Sequence, residues 1–341
     1  MKNTFLIVTS IAGQDHPILN QLAKEALDHD VSFIMVGDTK SPQTFYIDGC
    51  DYYSTGRQQT LPFELVKDLP FRHYARKNLG YLIAMSSGAE IIIETDDDNR
   101  PLAGFWDDRF RQTKAHALSK KGWVNIYRFF TDLTIWPRGF ALEHLQEKLP
   151  EIGVLSLVDC PIQQGLADEN PDVDAIYRLV LPLPVFFNKG QDIALGNESI
   201  CPFNSQNTTW FTDAFPLLYL PSYCSFRMTD IWRSFVAQRI AWSCGWSVLF
   251  HESTVQQERN DHNLMNDFRD EICGYDQNQQ ICERLKALTL KLGVENIPEN
   301  MLVCYQQLID LGVVGMAEMD LLQCWLKDVQ KIKVGKAPQV G

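Results

Sequence analysis

This 341-residue chain contains no CxxC pair, no apolar run of membrane-spanning length, no block of basic residues, no internal repeat and no low-complexity tract. Each absence closes off a class of protein. The longest apolar runs, such as Ile91-Ile92-Ile93 and Leu155-Ser156-Leu157-Val158, fall far short of the roughly 20 residues that cross a bilayer, so no integral membrane segment is expected. Nine cysteines, scattered and odd in number, read as free thiols in a reducing, cytoplasmic compartment and argue against a zinc site. Net charge is -12, from 31 Lys and Arg against 43 Asp and Glu. Without a basic run, that balance excludes a general nucleic-acid binder working by phosphate neutralisation.

The remaining composition is ordinary: 45% apolar and 22% charged residues build a sizeable core without strain. The length allows one large domain with an appendage or two domains sharing a core. At the N-terminus, Phe5-Leu6-Ile7-Val8 resembles a leader's apolar stretch. It stops at Thr9-Ser10 and leads into Gly13-Gln14-Asp15, so a first buried strand is the better reading.

The first half alternates strand and helix patterns, the signature of βαβ units and a largely parallel sheet. Strands are expected over 5–11, 31–36 and 90–94. One helix is expected after Asp15, with Pro17 in its first turn, and another over 71–86, closed by Gly88. Polar residues end each strand: Thr9-Ser10, Asp38 and Thr95-Asp96-Asp97-Asp98-Asn99. Ligands of open parallel sheets bind beyond those carboxyl ends, so three segments point to one crevice. A mixed extension is expected over 120–255, with a strand over 246–250 ended by His251, followed by a wholly helical region beyond about 275. The resulting division is a catalytic domain over 1–275 and a helical appendage over 276–335.

Three consecutive aspartates after a buried strand repel one another unless a cation joins them. Oxygen ligands suit Mg²⁺ or Mn²⁺, which would bridge the two phosphates of a nucleotide sugar. Strand alternation lets Asp96 and Asp98 address one site while Asp97 points elsewhere. A solvated turn capping the next helix is the plainer alternative. His251 is a candidate third ligand, or a satisfied buried histidine. On the helix from 71, Arg72, His73, Arg76 and Lys77 form a basic stretch continuing to Asn78. Arg76 and Gly80 share a face, suiting a diphosphate or ribose contact, or else forming a solvated surface. Trp136-Pro137-Arg138-Gly139-Phe140 and the acidic stretch 168–174 are candidates for sugar and acceptor handling, or ordinary turn chemistry. Asp230 either caps its helix or deprotonates an acceptor hydroxyl.

Several of these segments carry a family resemblance. Tyr53-Ser54-Thr55-Gly56, the run from Pro70 to Tyr81, Glu94 to Asn99 and Trp136 to Phe140 resemble the STELLO family of glycosyltransferase-like proteins. More distantly, the order of the triple Asp, Arg138-Gly139-Phe140, Gly165-Leu166 with Pro171-Asp172-Val173-Asp174-Ala175, Asp230-Ile231-Trp232 and His251 is similar to the reversibly glycosylated polypeptides, the UDP-arabinopyranose mutases. The resemblance implies a GT-A-type α/β fold, a divalent cation and a UDP- or GDP-linked sugar. It adds weight to Asp230 and His251. Golgi placement and cellulose-synthase association, known for plant STELLO proteins, are not carried over. Pro137 before Arg138 and Ala141-Leu142-Glu143 after Phe140 depart from the mutase pattern.

The resulting expectation is a metal-dependent glycosyltransferase acting on a nucleotide sugar and a carbohydrate or glycan acceptor, with homo-oligomerisation open. Thr9 and Asp38 would meet the base and ribose. Arg72, Arg76, Asn78, Gly80, Asp97 and Arg138 would contribute further donor contacts. Asp96, Asp98 and His251 would hold the cation, and Asp230, Asp172 and Asp174 would act on the sugar or acceptor. A mutase or self-glycosylating protein and a non-catalytic binding protein are the alternatives. A sugar nucleotidyltransferase is set aside because Gly13 stands alone where a glycine-rich, lysine-containing loop is needed.

Overall fold

Strands buried on both faces read as near-continuous apolar runs, and the first three runs do so apart from the end of the third, where buried Glu94 is paired with Arg233. In this computed structural model, which describes residues 3–118, 120–196, 198–258 and 263–335, β1 (Thr4–Thr9) and β2 (Ser32–Val36) form with β3 (Cys50–Tyr53) and β4 (Ile91–Thr95) a parallel set in the order β3-β2-β1-β4. Alternate residues divide between two cores. Phe5, Ile7, Ile34, Val36 and Ile92 enter the larger one, while Leu6, Val8, Phe33, Met35, Ile91 and Ile93 enter the smaller.

Helix α1 (Pro17–Asp28) covers the smaller core with Ile18, Leu19, Leu22, Ala23 and Ala26. Its cap position is His16 rather than Asp15, with Pro17 at the start. Proline suits that place because its missing N–H would have had no helical partner. A five-residue helix α2 (Thr55–Gln59) follows β3. The expected helix from 71 is shorter. Arg72 has φ 57°, a left-handed value incompatible with a helix. A 3₁₀ turn over Tyr74–Arg76 then leads into α3 (Lys77–Ser86), which buries Leu79, Leu82 and Ile83 in the larger core.

The sheet continues through strands of mixed direction: β5 (Asn99–Pro101), β6 (Gln112–Leu118), β8 (Leu155–Asp159), β9 (Ile162–Asp168), β10 (Asp192–Leu195), β12 (Asn207–Phe211) and β13 (Val248–Gln257). Its eleven strands run β3-β2-β1-β4-β12-β9-β13-β10-β6-β8, with β5 on β13. A separate pair joins β7 (Gly122–Trp123) to β11 (Ser199–Ile200). The α/β class expected from the sequence is present.

The helices of the second half are α4 (Ala175–Val180), α5 (Thr229–Ser243), α6 (Leu264–Ala287), α7 (Ile297–Asp310) and α8 (Glu318–Lys333). The expected domain boundary at 275 falls inside α6, a helix started at Asn263, whose side chain accepts from the Met265 and Asn266 N–H groups. The last helices share the larger core through Ile281, Leu285, Met301, Leu308 and Trp325, so they are not a detached appendage. No helix among the described residues is long and apolar enough to cross a membrane.

Candidate functional site

Because β1, β2 and β4 are parallel, Thr9, Val36 and Thr95 leave the sheet at one edge. The segments that follow them wall a cavity of about 580 Å³, where the ligand crevice of such a sheet is expected. Thr9, Asp38, Arg72, Arg76, Asp96, Asp97, Asp98, Arg138, Asp172 and Asp230 all line it. Ten of the sequence candidates therefore meet in one place. Asn78, Gly80, Asp174 and His251 are not among the lining residues.

Asp38 spends its carboxylate on the backbone. Oδ1 accepts from the Thr39 N–H at 2.6 Å and Oδ2 from the His73 N–H at 3.0 Å. It thereby ties the segment carrying Arg72 and Tyr74 to the end of β2. Arg72 is exposed, with Nε 3.4 Å from Thr39 Oγ1.

The triple Asp is compensated from within. Lys77, whose side chain is fully buried, donates to Thr95 O and Tyr74 Oη, each at 2.7 Å, and to Asp96 Oδ1 at 3.0 Å. Tyr74 donates to the same Asp96 oxygen at 2.6 Å. Burial pushes the Asp96 carboxyl up despite Lys77 and Tyr74, and it pushes the Tyr74 phenol well above its usual value, keeping it protonated. Asp97 Oδ2 accepts from Ser10 Oγ, and Asp98 Oδ2 from Gln257 Nε2 at 2.9 Å. Among the described residues no three His, Cys, Asp or Glu side chains gather as a metal cage. A hard cation that shares its shell with phosphate oxygens needs only one or two carboxylates from the protein. Asp96, Asp97 and Asp98 line the cavity and meet that requirement, whereas His251 on β13 is not among its lining residues.

Farther along the wall Arg138 holds two acids together. Its Nε and Nη2 reach the two oxygens of Asp172, each at 2.8 Å, and Nη2 lies 3.1 and 3.0 Å from the oxygens of Asp230. Nη1 donates to Arg227 O. Burial would raise the Asp172 carboxyl, but the Arg138 charge and hydrogen bonds, helped by Arg227 and Arg178, leave it below the ordinary value. Asn204 Nδ2 also donates to Asp172 at 3.0 Å, while Ser205 N and Oγ reach Asp230 Oδ2 at 3.2 and 3.3 Å. Such bidentate, charge-assisted pairs fix geometry as well as charge.

Six sequence expectations need correction. Arg76 touches the cavity, but its guanidinium turns inward to Gln58 and Leu69 O, and burial lowers its pKa to about 10. Asn78 exchanges two hydrogen bonds with the Leu220 backbone, at 2.8 and 2.9 Å. Gly80 lacks a side chain because an added Cβ would stand 2.6 Å from Ile7 Cγ2; it serves the packing of α3 on the sheet. Asp174 caps α4 by accepting from Tyr177 N–H, and also holds Trp136 Nε1 at 2.6 Å. Trp136 is buried, a core residue rather than a sugar platform. His251 lies inside β13 instead of ending it, pairing with both β9 and β10. Its Nδ1 contacts Glu252 O at 3.0 Å, and burial, with Arg109 nearby, lowers its pKa to about 3.

Comparison with known proteins finds sequence relatives of one family. The family model described as STELLO glycosyltransferases matches residues 227–339. Two *Arabidopsis thaliana* proteins match over 245 residues: "Probable glycosyltransferase STELLO2" at 29% identity and "Probable glycosyltransferase STELLO1" at 26%. These matches support a STELLO-type family assignment. Each alignment covers 66% of this chain and 32% of the relative, so the chain spans about a third of the length of the curated relatives it matches. *S. aureus* TarS shares 11% identity at a TM-score of 0.29, over 98% of this chain and 55% of that one.

The STELLO-type segment brings Arg227 and Asp230 to the site, whereas Thr9, Asp38, the triple Asp, Arg138 and Asp172 precede it. Sequence reasoning missed Tyr74, Ser205, Gln206, Phe226, Arg227 and Gln257 as wall or bridging residues. Tyr74 and Lys77 sit in the quoted basic motif, three residues apart, and were findable there. Ser205 lies in a loop before β12 with no pattern to mark it.

Proposed function

We propose that this protein is a glycosyltransferase that binds a UDP- or GDP-linked sugar with Mn²⁺ or Mg²⁺ in the cavity and transfers the sugar to a hydroxyl of a carbohydrate acceptor. The observation that carries the reading is the convergence of the three strand ends, the triple Asp and Asp230 on one cavity of about 580 Å³. The STELLO-type matches favour the same class. The nine free cysteines favour a reducing, cytoplasmic setting.

In this reading the base and ribose lie against Thr9, Ser10 and the 38–40 segment. Asp96 and Asp98 would hold the cation, Asp96 with its carboxylate steadied by Lys77 and Tyr74. When bound, the cation offsets charge on the departing diphosphate. Asp230, held by Arg138 and the Ser205 backbone N–H, meets the sugar or the acceptor hydroxyl. The engagement of Asp230 by Arg138 also favours a second reading, a nucleotide-sugar-binding protein without turnover. Self-glycosylation at Arg138 is disfavoured because three groups already hold its guanidinium.

The test is Asp98→Ala. Mn²⁺-dependent release of UDP or GDP from sugar nucleotides falls about 100-fold or more, the loss expected when several kcal/mol of charge stabilisation go. The circular dichroism spectrum and melting temperature stay near wild type. Activity unchanged by the substitution would remove the metal assignment, and nucleotide binding without any release in wild type selects the second reading.

A further inference from the structure

Tyr74 and Ser205 join the acidic loop to Asp230 through hydroxyl groups whose protons must be shared out. Tyr74 Oη accepts a hydrogen bond from Lys77 Nζ at 2.7 Å and has one hydrogen of its own to donate. Two oxygens are in reach, Asp96 Oδ1 at 2.6 Å and Ser205 Oγ at 2.7 Å. Ser205 Oγ likewise has one proton, with Tyr74 Oη on one side and Asp230 Oδ2 at 3.3 Å on the other. A hydroxyl donates only once.

If Tyr74 gives its proton to Asp96, Ser205 must point back at Tyr74, since otherwise their two oxygens face each other without a proton between them. If Tyr74 gives its proton to Ser205, Ser205 gives its own to Asp230. Only two ordered arrangements satisfy the chain, one directed at Asp96 and the other at Asp230. Asp96, if it held a cation, would be a poorer acceptor for Tyr74, which would favour the second arrangement.

We infer that Tyr74 and Ser205 are positioning residues that report occupancy of the acidic loop to Asp230, adding a hydrogen bond that fixes Asp230 only when donor and cation are bound. The inference rests on the transferase reading. It predicts an order of events in which the donor site fills first and the acceptor-side carboxylate is then set. The wall between them is well placed for this, because Lys77 and Arg138 anchor its two ends from buried positions.

Ser205→Ala breaks the link while keeping the backbone N–H that also reaches Asp230, and Ser205→Thr keeps the hydroxyl. The probes are UDP-glucose, UDP-galactose and GDP-mannose with Mn²⁺, with release of nucleotide diphosphate to water as the readout and calorimetric binding of UDP and GDP beside it. For Ser205→Ala, nucleotide affinity and donor KM stay within about 2-fold of wild type while kcat falls about 5-fold or more, in the range of ordinary coupling between sites. Ser205→Thr recovers kcat. An unchanged kcat in Ser205→Ala, on a wild type that turns over, overturns the link and leaves the transferase reading standing. Equal losses in affinity and kcat for both variants mark a merely structural residue and overturn it too. A wild type that releases no nucleotide diphosphate overturns the transferase reading, and the link falls with it.

Discussion

Gly80 separates a ligand-contacting residue from a packing residue. The spacing of Arg76 and Gly80 suggests a backbone approach to a diphosphate, but the close neighbours of a Cβ at position 80 are Ile7 and Val36 methyl groups, at 2.6 and 3.0 Å. Gly80→Ala should therefore cost stability, about 1–3 kcal/mol for overpacking less up to about 1 kcal/mol regained in helix propensity. Urea denaturation checks the loss, and nucleotide affinity should remain near wild type. The same lesson applies to Arg76, Asn78 and Asp174. Their residue types are right for ligand work, yet each is claimed by buried backbone or amide groups that a local pattern does not show. By contrast, Thr9, Asp38 and the triple Asp were legible because strand ends in a parallel sheet are a property of the element, and the elements were readable from apolar runs. His251 failed for the complementary reason. Its strand runs on to Gln257 through polar residues that its β5 and β9 neighbours satisfy, so no break in apolarity marks the true end.

At the scale of elements, the C-terminal helices hold the segments that shape the cavity. Asp328 on α8 accepts from the Glu64 and Leu65 N–H groups at 2.9 and 3.0 Å. Glu318, at the start of α8, accepts from Ser222 and Tyr223 N–H at 2.9 and 2.7 Å and from the Tyr219 hydroxyl. The 219–223 stretch leads directly to Phe226 and Arg227 on the cavity wall. Asp328→Ala leaves two N–H groups without their acceptor, which should cost about 1–3 kcal/mol for each one left buried and unsatisfied. Faster amide exchange at Glu64 and Leu65, with a lower urea midpoint, is the expected outcome. The helical character of the tail was plain from its apolar periodicity. Its integration was not, since the carboxylates that dock it lie on the polar side of the pattern and find their partners more than 90 positions away.

For the molecule as a whole, buried titratable groups set a pH dependence. His251 is neutral when folded because burial lowers its pKa to about 3, whereas an unfolded histidine titrates near about 6.5. Below that value the unfolded chain binds the proton first, so stability falls as pH drops from about 6.5 toward 3, by up to about 1.4 kcal/mol per pH unit. Asp174 acts in the other direction. Its folded pKa is raised to about 6, chiefly by burial, so its contribution to stability is present at low pH and is lost as pH rises through about 6. The two groups overlap between about 4 and 6. Unfolding midpoints of wild type and His251→Gln across pH 7 to 5 test the first term: the variant should lose less stability on acidification than wild type.

The cavity draws on positions from Thr9 to Gln257, so segments far apart in the sequence must come together before it exists. A molecule seated there recognises only the completed fold and withdraws it from the unfolding equilibrium, adding about 2.7 kcal/mol at a concentration 100 times its dissociation constant. Under the proposed transferase reading, heat resistance becomes a reporter of donor identity: the sugar nucleotide that most delays melting in the presence of Mn²⁺ is the first substrate to assay.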